Sequence, residues 1–416
     1  MEDDLNYSLI KKICNEQETP LYLYDLTVIR DRIKMLKKCF PEYINLYYSM
    51  KANPNISLLS YIKNFVSGIE ICSEGELFAS LHCSINPQNI IFVGPGKTFK
   101  ELEYAIEQDV FCIVAESVRE LEQIQRIASA KKKKTPVAIR INPKDELIGA
   151  RIKMGGASKQ FGIDEENVNT ILANLNQYPN IYFKGIHVYM GTQITDAKVL
   201  IQGFRNIFDI AKRIQNEYGV KLNFIDFGGG FGIPYFPSDK ELDLNVLNEG
   251  IHCVFEERKN DFDYSQMSLI IESGRFLVAE CGYFLTRVLY KKCSRGKTFL
   301  VVDGGSNHHS SAAGMGRFVR NNFPISIVKM GIQTETRLEK VDIVGPLCTP
   351  TDVLAQNIEL PVAEEGDIII IHRSGAYGLS ASMINFLSHP RPAELVIINQ
   401  DSYKVKRERG NKEEFI

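Results

Sequence analysis

The chain has 416 residues, 44% of them hydrophobic, and a formal net charge of −2. That length exceeds one small core, and the near-neutral balance gives no global field that would draw the protein to nucleic acid or anionic lipid. The acidic start MEDDLNYSLIKK lacks the apolar run of a signal peptide, and no apolar stretch is long enough to span a bilayer. The nine cysteines are scattered and odd in number, without zinc-like pairs. That usage suits reduced thiols in a cytoplasm.

In chain order, LYLYD (21–25) reads as a strand, and a helical pattern follows from Leu26 to Cys39. One theme then repeats: a short apolar, β-branched run ends in small or polar residues, and an amphipathic helical stretch follows. Eight runs fit it: INLYYSMK, VSGIEICS, NIIFVGP, VFCIVAES, PVAIRINP, YFKGIHVYMG, LNFIDFGGG and SLIIESGR. Helical patterns between them include SLLSYIKNF, FKELEYAIEQ, SVRELEQIQRIASA and VLIQGFRNIFDIAKRIQNEYG. Near-continuous apolar strands alternating with helices predict a buried parallel sheet. Eight such units predict an α/β fold of the (β/α)8 TIM-like barrel type, with a doubly wound sheet as the alternative.

After about Phe276 the texture changes. YFLTRVLYKK, KTFLVVDGG, KVDIVGP, DIIIIHRSGAYG and AELVIINQ read as strands without long helices between them. They predict a C-terminal antiparallel β domain that also takes in LYLYD. The expected division is a barrel over 26–275 and a β domain made of 1–25 and 276–416. Lys131–Lys134 reads as a solvated helix-to-strand turn, and the charged tail KRERGNKEEF as frayed.

In a barrel the chemistry gathers at the C-terminal ends of the strands. The first ends in Lys51, the sixth carries His187, Tyr189 and Thr192, the seventh ends in Gly228, Gly229 and Gly230, and the eighth in Glu272, Ser273, Gly274 and Arg275. By position alone Lys51 reads as a solvated strand-end charge. The alternative is an amine whose pKa is lowered toward Schiff-base chemistry. The glycine run is either a tight turn or a place where backbone N–H groups approach an anion. Glu272 is either half of a structural pair with Arg275 or the partner of a protonated pyridine nitrogen. Later, GPLCTPTD contains Cys348 and Asp352, and SGAYG contains Tyr377. His308 and His309 are adjacent, which on a strand sends them to opposite faces, so no metal site is expected.

Together these motifs resemble the fold-type III pyridoxal-phosphate decarboxylases, the group of the diaminopimelate, ornithine and arginine decarboxylases. The resemblance runs from TPLYLYD to FLSHPRP and rests on SMKAN, DFGGGFG, ESGR, GPLC and SGAYG in that order. It implies pyridoxal 5'-phosphate as cofactor, held by Lys51 as a Schiff base. It implies Glu272 at the pyridine nitrogen, with Gly229, Gly230, Gly274 and Arg275 at the phosphate, helped by Thr192 and Tyr377. Cys348 becomes the proton donor to the carbanion. The resemblance also implies a homodimer in which the β domain completes the partner's active site.

Two departures bear on substrate. Relatives commonly have His-x-His-x-Gly-Ser-Gln; here His187-Val-Tyr-Met-Gly-Thr-Gln puts Tyr189 at the position that stacks on the ring. Diaminopimelate decarboxylases follow the cysteine with Glu-Ser, whose glutamate reads a distal ammonium; here Thr349 and Pro350 follow Cys348. Both departures, with RIKMGGASKQFGI and VDGGSNHH, resemble the butirosin-type branch, which acts on glutamate tethered to an acyl carrier protein. A siderophore-pathway branch shares Cys-Thr-Pro. Arg275, Arg317, Arg320 and Asp352 are the candidates for substrate contact, and Arg317 and Arg320 could instead be ordinary solvated charges. The alternatives are diaminopimelate decarboxylation, disfavoured by Thr349, and racemisation, disfavoured by Glu272. A non-catalytic cofactor-binding protein is disfavoured by the β domain.

Overall fold

The computed structural model describes residues 5–144, 152–153, 160–236, 239–315, 321–331 and 337–415. Its chain divides into two compact units, one of Arg30–Pro234 with Lys240–Leu277, the other of Met1–Ile29, Tyr235–Asp239 and Val278–Ile416.

The first unit is a closed parallel barrel. Its strands are Ile44–Ser49, Gly68–Ile71, Ile90–Phe92, Cys112–Ala115, Thr135–Asn142, Ile181–Val188, Phe224–Asp226 and Ser268–Ser273. Each of the eight apolar runs forms one strand. Every neighbouring pair is parallel, the fourth pairs with the fifth, and the eighth pairs with the first, which closes the ring. No sheet edge is left, so the alternative of an open doubly wound sheet does not apply. Tyr47, Ile91, Cys112, Val114, Ala138, Phe224 and Ile270 fill the interior as one buried cluster.

Local chemistry fixes the helices. Thr98 and Glu101 form a capping box at the start of Phe99–Glu107, and the Ser117 side chain caps Val118–Ala130. The long helix Ala197–Tyr218 stops where Gly219 adopts φ +62°. Lys131 closes its turn through ion pairs to Glu103 and Glu107, and Lys133 pairs with Asp109.

The second unit is a β structure. Leu21–Asp25 pairs antiparallel with Gly282–Ser294 and parallel with Ala393–Asn399. The ladders are mostly antiparallel; Lys297–Val302 with Leu338–Val344 is a second parallel pair. Leu9, Ile10, Ile13, Leu21, Leu23, Leu285, Ile368, Ile370 and Leu395 form its core. The helix Tyr7–Glu16 supplies the first three, and sequence reading did not find that helix. The tail corrects another expectation. Ser402–Arg407 is a strand, Arg391 holds Glu414 and Arg409 holds Glu18, so its charges fasten it instead of leaving it frayed.

Candidate active site

Strand register brings Lys51, Glu70, His187, Asp226 and Glu272 to one end of the barrel. Lys51 lies in the single 3-10 turn Met50–Ala52 after the first strand. Its Nζ is 2.7 Å from Glu70 Oε1, which is fully buried on the second strand, while the lysine side chain is 37% exposed. Burial acts to pull the ammonium down, but the charges of Glu70, Cys72, Glu272 and Tyr189 outweigh it and its pKa rises. The free lysine is therefore an ion-paired ammonium, and the expectation of a lowered pKa is corrected by the neighbour that sequence reading overlooked. The Tyr189 ring centroid is 5.7 Å from Lys51 Nζ and 5.8 Å from Arg140 Cζ. Arg140 in turn pairs with buried Glu116 at 3.0 Å.

Asp226 of the seventh strand is in register with His187 of the sixth, and Glu272 Oε1 of the eighth lies 3.6 Å from His187 Nε2. All three are buried, and their ligating atoms lie within 4.8 Å of one another. His187, read from sequence as a residue at the end of the sixth strand, belongs to this cluster. Glu272, despite burial, is held down to about 2 by His187 and Lys51, whereas burial and the Glu272 charge push Asp226 well up.

The glycines answer to close packing. A Cβ on Gly229 would meet the Glu272 carbonyl oxygen at 2.3 Å, and one on Gly230 the Gly191 carbonyl oxygen at 2.4 Å. On Gly274 it would meet Ala52 Cβ at 2.7 Å. Their lack of side chains lets neighbouring segments touch, and it leaves the N–H groups of Gly229, Gly230 and Gly274 with no acceptor among the described residues. Thr192 follows in the short strand Gly191–Thr192, and Arg275 opens the turn of helix Arg275–Val278.

The β unit carries the other candidates. Cys348 is exposed. Tyr377 has φ +53°, and its carbonyl accepts from Ser311 Oγ at 2.8 Å. Asp352 is buried, and its two oxygens accept the N–H groups of Ser306 at 2.6 Å and Leu347 at 2.8 Å. These bonds order the loops around Cys348. His308 and His309 lie in a turn, not on a strand. The first ring contacts the Pro390 carbonyl and the second Ser374 Oγ. Arg317 and Arg320 lie outside the described residues.

Residues 26–279 match the model of the pyridoxal-dependent decarboxylase family, pyridoxal binding domain. The chain belongs to the pyridoxal-dependent decarboxylases. It is 38% identical to the L-glutamyl-[BtrI acyl-carrier protein] decarboxylase of Niallia circulans over 99% of this chain and 96% of that one. It is 30% identical to the 2-[(L-alanin-3-ylcarbamoyl)methyl]-2-hydroxybutanedioate decarboxylase of Staphylococcus aureus, over 91% and 94% of the two chains. The crystal structure of diaminopimelate decarboxylase from Helicobacter pylori complexed with L-lysine superposes with a TM-score of 0.85 at 29% identity, covering 97% of this chain and 98% of that one.

The enzyme is thus a carboxy-lyase that uses pyridoxal phosphate, and the barrel end fits that group. Glu272 Oε1, Asp226 Oδ2, both His187 ring nitrogens and Glu70 Oε2 are buried without a hydrogen-bond partner among the described residues. A pyridinium supplies the positive donor such an acidic cluster requires, and a phosphate supplies acceptors for the free glycine N–H groups. Sequence reading missed Glu70, Asp226 and Arg140. The available signal was an ionisable residue inside an otherwise apolar strand, in GIEI, FID and VAIRIN.

Proposed function

We propose that this decarboxylase removes the α-carboxylate of a glutamyl group carried on an acyl carrier protein, in antibiotic-type biosynthesis in the cytoplasm. The observation that carries the reading is the 38% identity over 99% of the chain to a decarboxylase named for that substrate. The loop after Cys348 agrees with it: Thr349 and Pro350 offer no carboxylate to a distal ammonium.

Pyridoxal phosphate, when bound, accepts into its ring the electron pair left by departing carbon dioxide. Lys51 anchors it, and Glu272 keeps its ring nitrogen protonated. Tyr189, whose ring lies 5.7 Å from Lys51 Nζ, would offer the cofactor ring an aromatic face. Gly229, Gly230, Gly274, Arg275, Thr192 and Tyr377 hold the phosphate. For Lys51 to act as a nucleophile its ammonium must lose a proton, and Glu70 is placed to receive it. The partner subunit's Cys348 protonates the α-carbon, which makes the homodimer the working unit. Arg317 and Arg320 meet the carrier or its pantetheine arm.

The test compares carrier-bound γ-glutamyl thioester, free glutamate and free diaminopimelate as substrates of the holoenzyme. The expected result is much faster loss of carbon dioxide from the carrier-bound group, leaving a γ-aminobutyryl carrier. Charge reversal at Arg317 and Arg320 should weaken carrier use while leaving cofactor absorbance intact. Efficient turnover of free diaminopimelate with no gain from any carrier would replace this reading with the lysine-pathway one.

A further inference from the structure

Asp226 is a buried acid with no ion pair among the described residues. Lys51 pairs with Glu70 at 2.7 Å, and His187 Nε2 lies 3.6 Å from Glu272 Oε1, with ligand atoms of Asp226, Glu272 and His187 all within 4.8 Å of one another. The Asp226 side chain is fully buried, and its Oδ1 accepts the Gly228 N–H at 2.8 Å. Its Oδ2 has no donor among the described residues, and neither does Glu272 Oε1. Two buried carboxylates this close cannot both be ionised, and one proton between them satisfies an oxygen on each.

We propose that Asp226 is a positioning residue: it keeps a proton, donates it to Glu272, and so fixes Glu272 as the anion that meets the cofactor's ring nitrogen. This rests on the assignment of Glu272 made above. The surroundings decide which acid holds the proton. Glu272 faces His187 from the sixth strand and Lys51 from the turn after the first. Asp226 faces His187 from the sixth strand, but also Glu70 from the second, Tyr47 from the first, Cys112 from the fourth and Glu272 itself, so acidic groups outnumber the one imidazole around it. Burial and these neighbours raise the Asp226 carboxyl, while His187 and Lys51 lower that of Glu272.

Infrared difference spectroscopy reads the proton directly, with and without cofactor. The wild-type protein should show the carbonyl stretch of a buried protonated carboxylic acid through neutral pH, and Asp226→Asn should lose it. Absence of that band from the wild type, or its survival in Asp226→Asn with loss in Glu272→Gln, overturns the proposal. In the holoenzyme, Asn can still donate to Glu272 and Leu cannot. Asp226→Asn should therefore have a kcat about tenfold above that of Asp226→Leu at similar KM; equal kcat values overturn the positioning role. Nitrogen-15 resonance of ring-labelled cofactor separates the two assignments. An unprotonated ring nitrogen in the wild type sinks the role of Glu272, while the infrared band still reports on Asp226.

Discussion

The barrel end and the loop of Cys348 solve opposite problems. At the barrel end, sheet closure buries the four ionisable side chains of Glu70, His187, Asp226 and Glu272 and leaves several of their polar atoms without a partner among the described residues, a cost that a bound group can remove. In the Cys348 loop the buried acid is fully used by the chain itself. Asp352 takes the N–H groups of Ser306 and Leu347, and the thiol is left outside. The first region is a site that asks for a ligand; the second is a finished scaffold that presents an exposed thiol. Mutations should therefore hurt chemistry in the first region and either assembly or stability in the second.

The sharpest way to break that comparison is to mix inactive Lys51→Ala and Cys348→Ala proteins. A site shared across a dimer predicts that activity returns, because one hybrid site has both residues intact. No recovery after demonstrated subunit exchange places the site within one chain. Next in size is Glu272→Gln, which removes the negative charge proposed to meet the ring nitrogen. Steady-state kinetics should show kcat falling by about a hundredfold or more, with cofactor affinity changing far less.

In the β unit the expected effects are on stability. Asp352→Ala strands two buried N–H groups and should cost about 4 kcal/mol in urea unfolding, with catalysis lost only as the fold loosens. Asp352→Asn keeps one acceptor and should cost about half as much. A pH effect of similar kind comes from His308. Burial, then the nearby His389, lowers its pKa to about 4 from the usual 6.5. The unfolded chain then binds a proton that the folded chain refuses between those values. Stability should therefore be full above about pH 6.5 and fall by roughly 3 kcal/mol as pH drops to about 4. Urea unfolding of wild type and His308→Asn across that range should differ in slope; equal slopes contradict the assignment. Smallest of all, Arg391→Ala removes an exposed pair with Glu414 and should cost about 0.5 kcal/mol.

The eight barrel strands were legible because each is an apolar run closed by small or polar residues, and the order of SMKAN, DFGGGFG, ESGR and GPLC pointed to the chemistry. Pairwise contacts formed by distant segments were not legible. Glu70 is 19 positions from Lys51, and only the register of the first two strands brings them together. The charged tail misled for the same reason, since Glu18 and Arg409 meet across 391 positions. The glycines were read as either a tight turn or an approach to an anion, and the structure adds that they let neighbouring segments touch.

The central claim is that Lys51 is the attachment point around which the barrel's buried acids are arranged. Borohydride reduction of the pyridoxal-phosphate-loaded protein, followed by peptide mass spectrometry, tests it most directly. The account predicts that the yellow absorbance bleaches and that the reduced adduct lies on Lys51, with Lys51→Ala giving neither colour nor adduct. An adduct on a different lysine, or one that persists in Lys51→Ala, would contradict it.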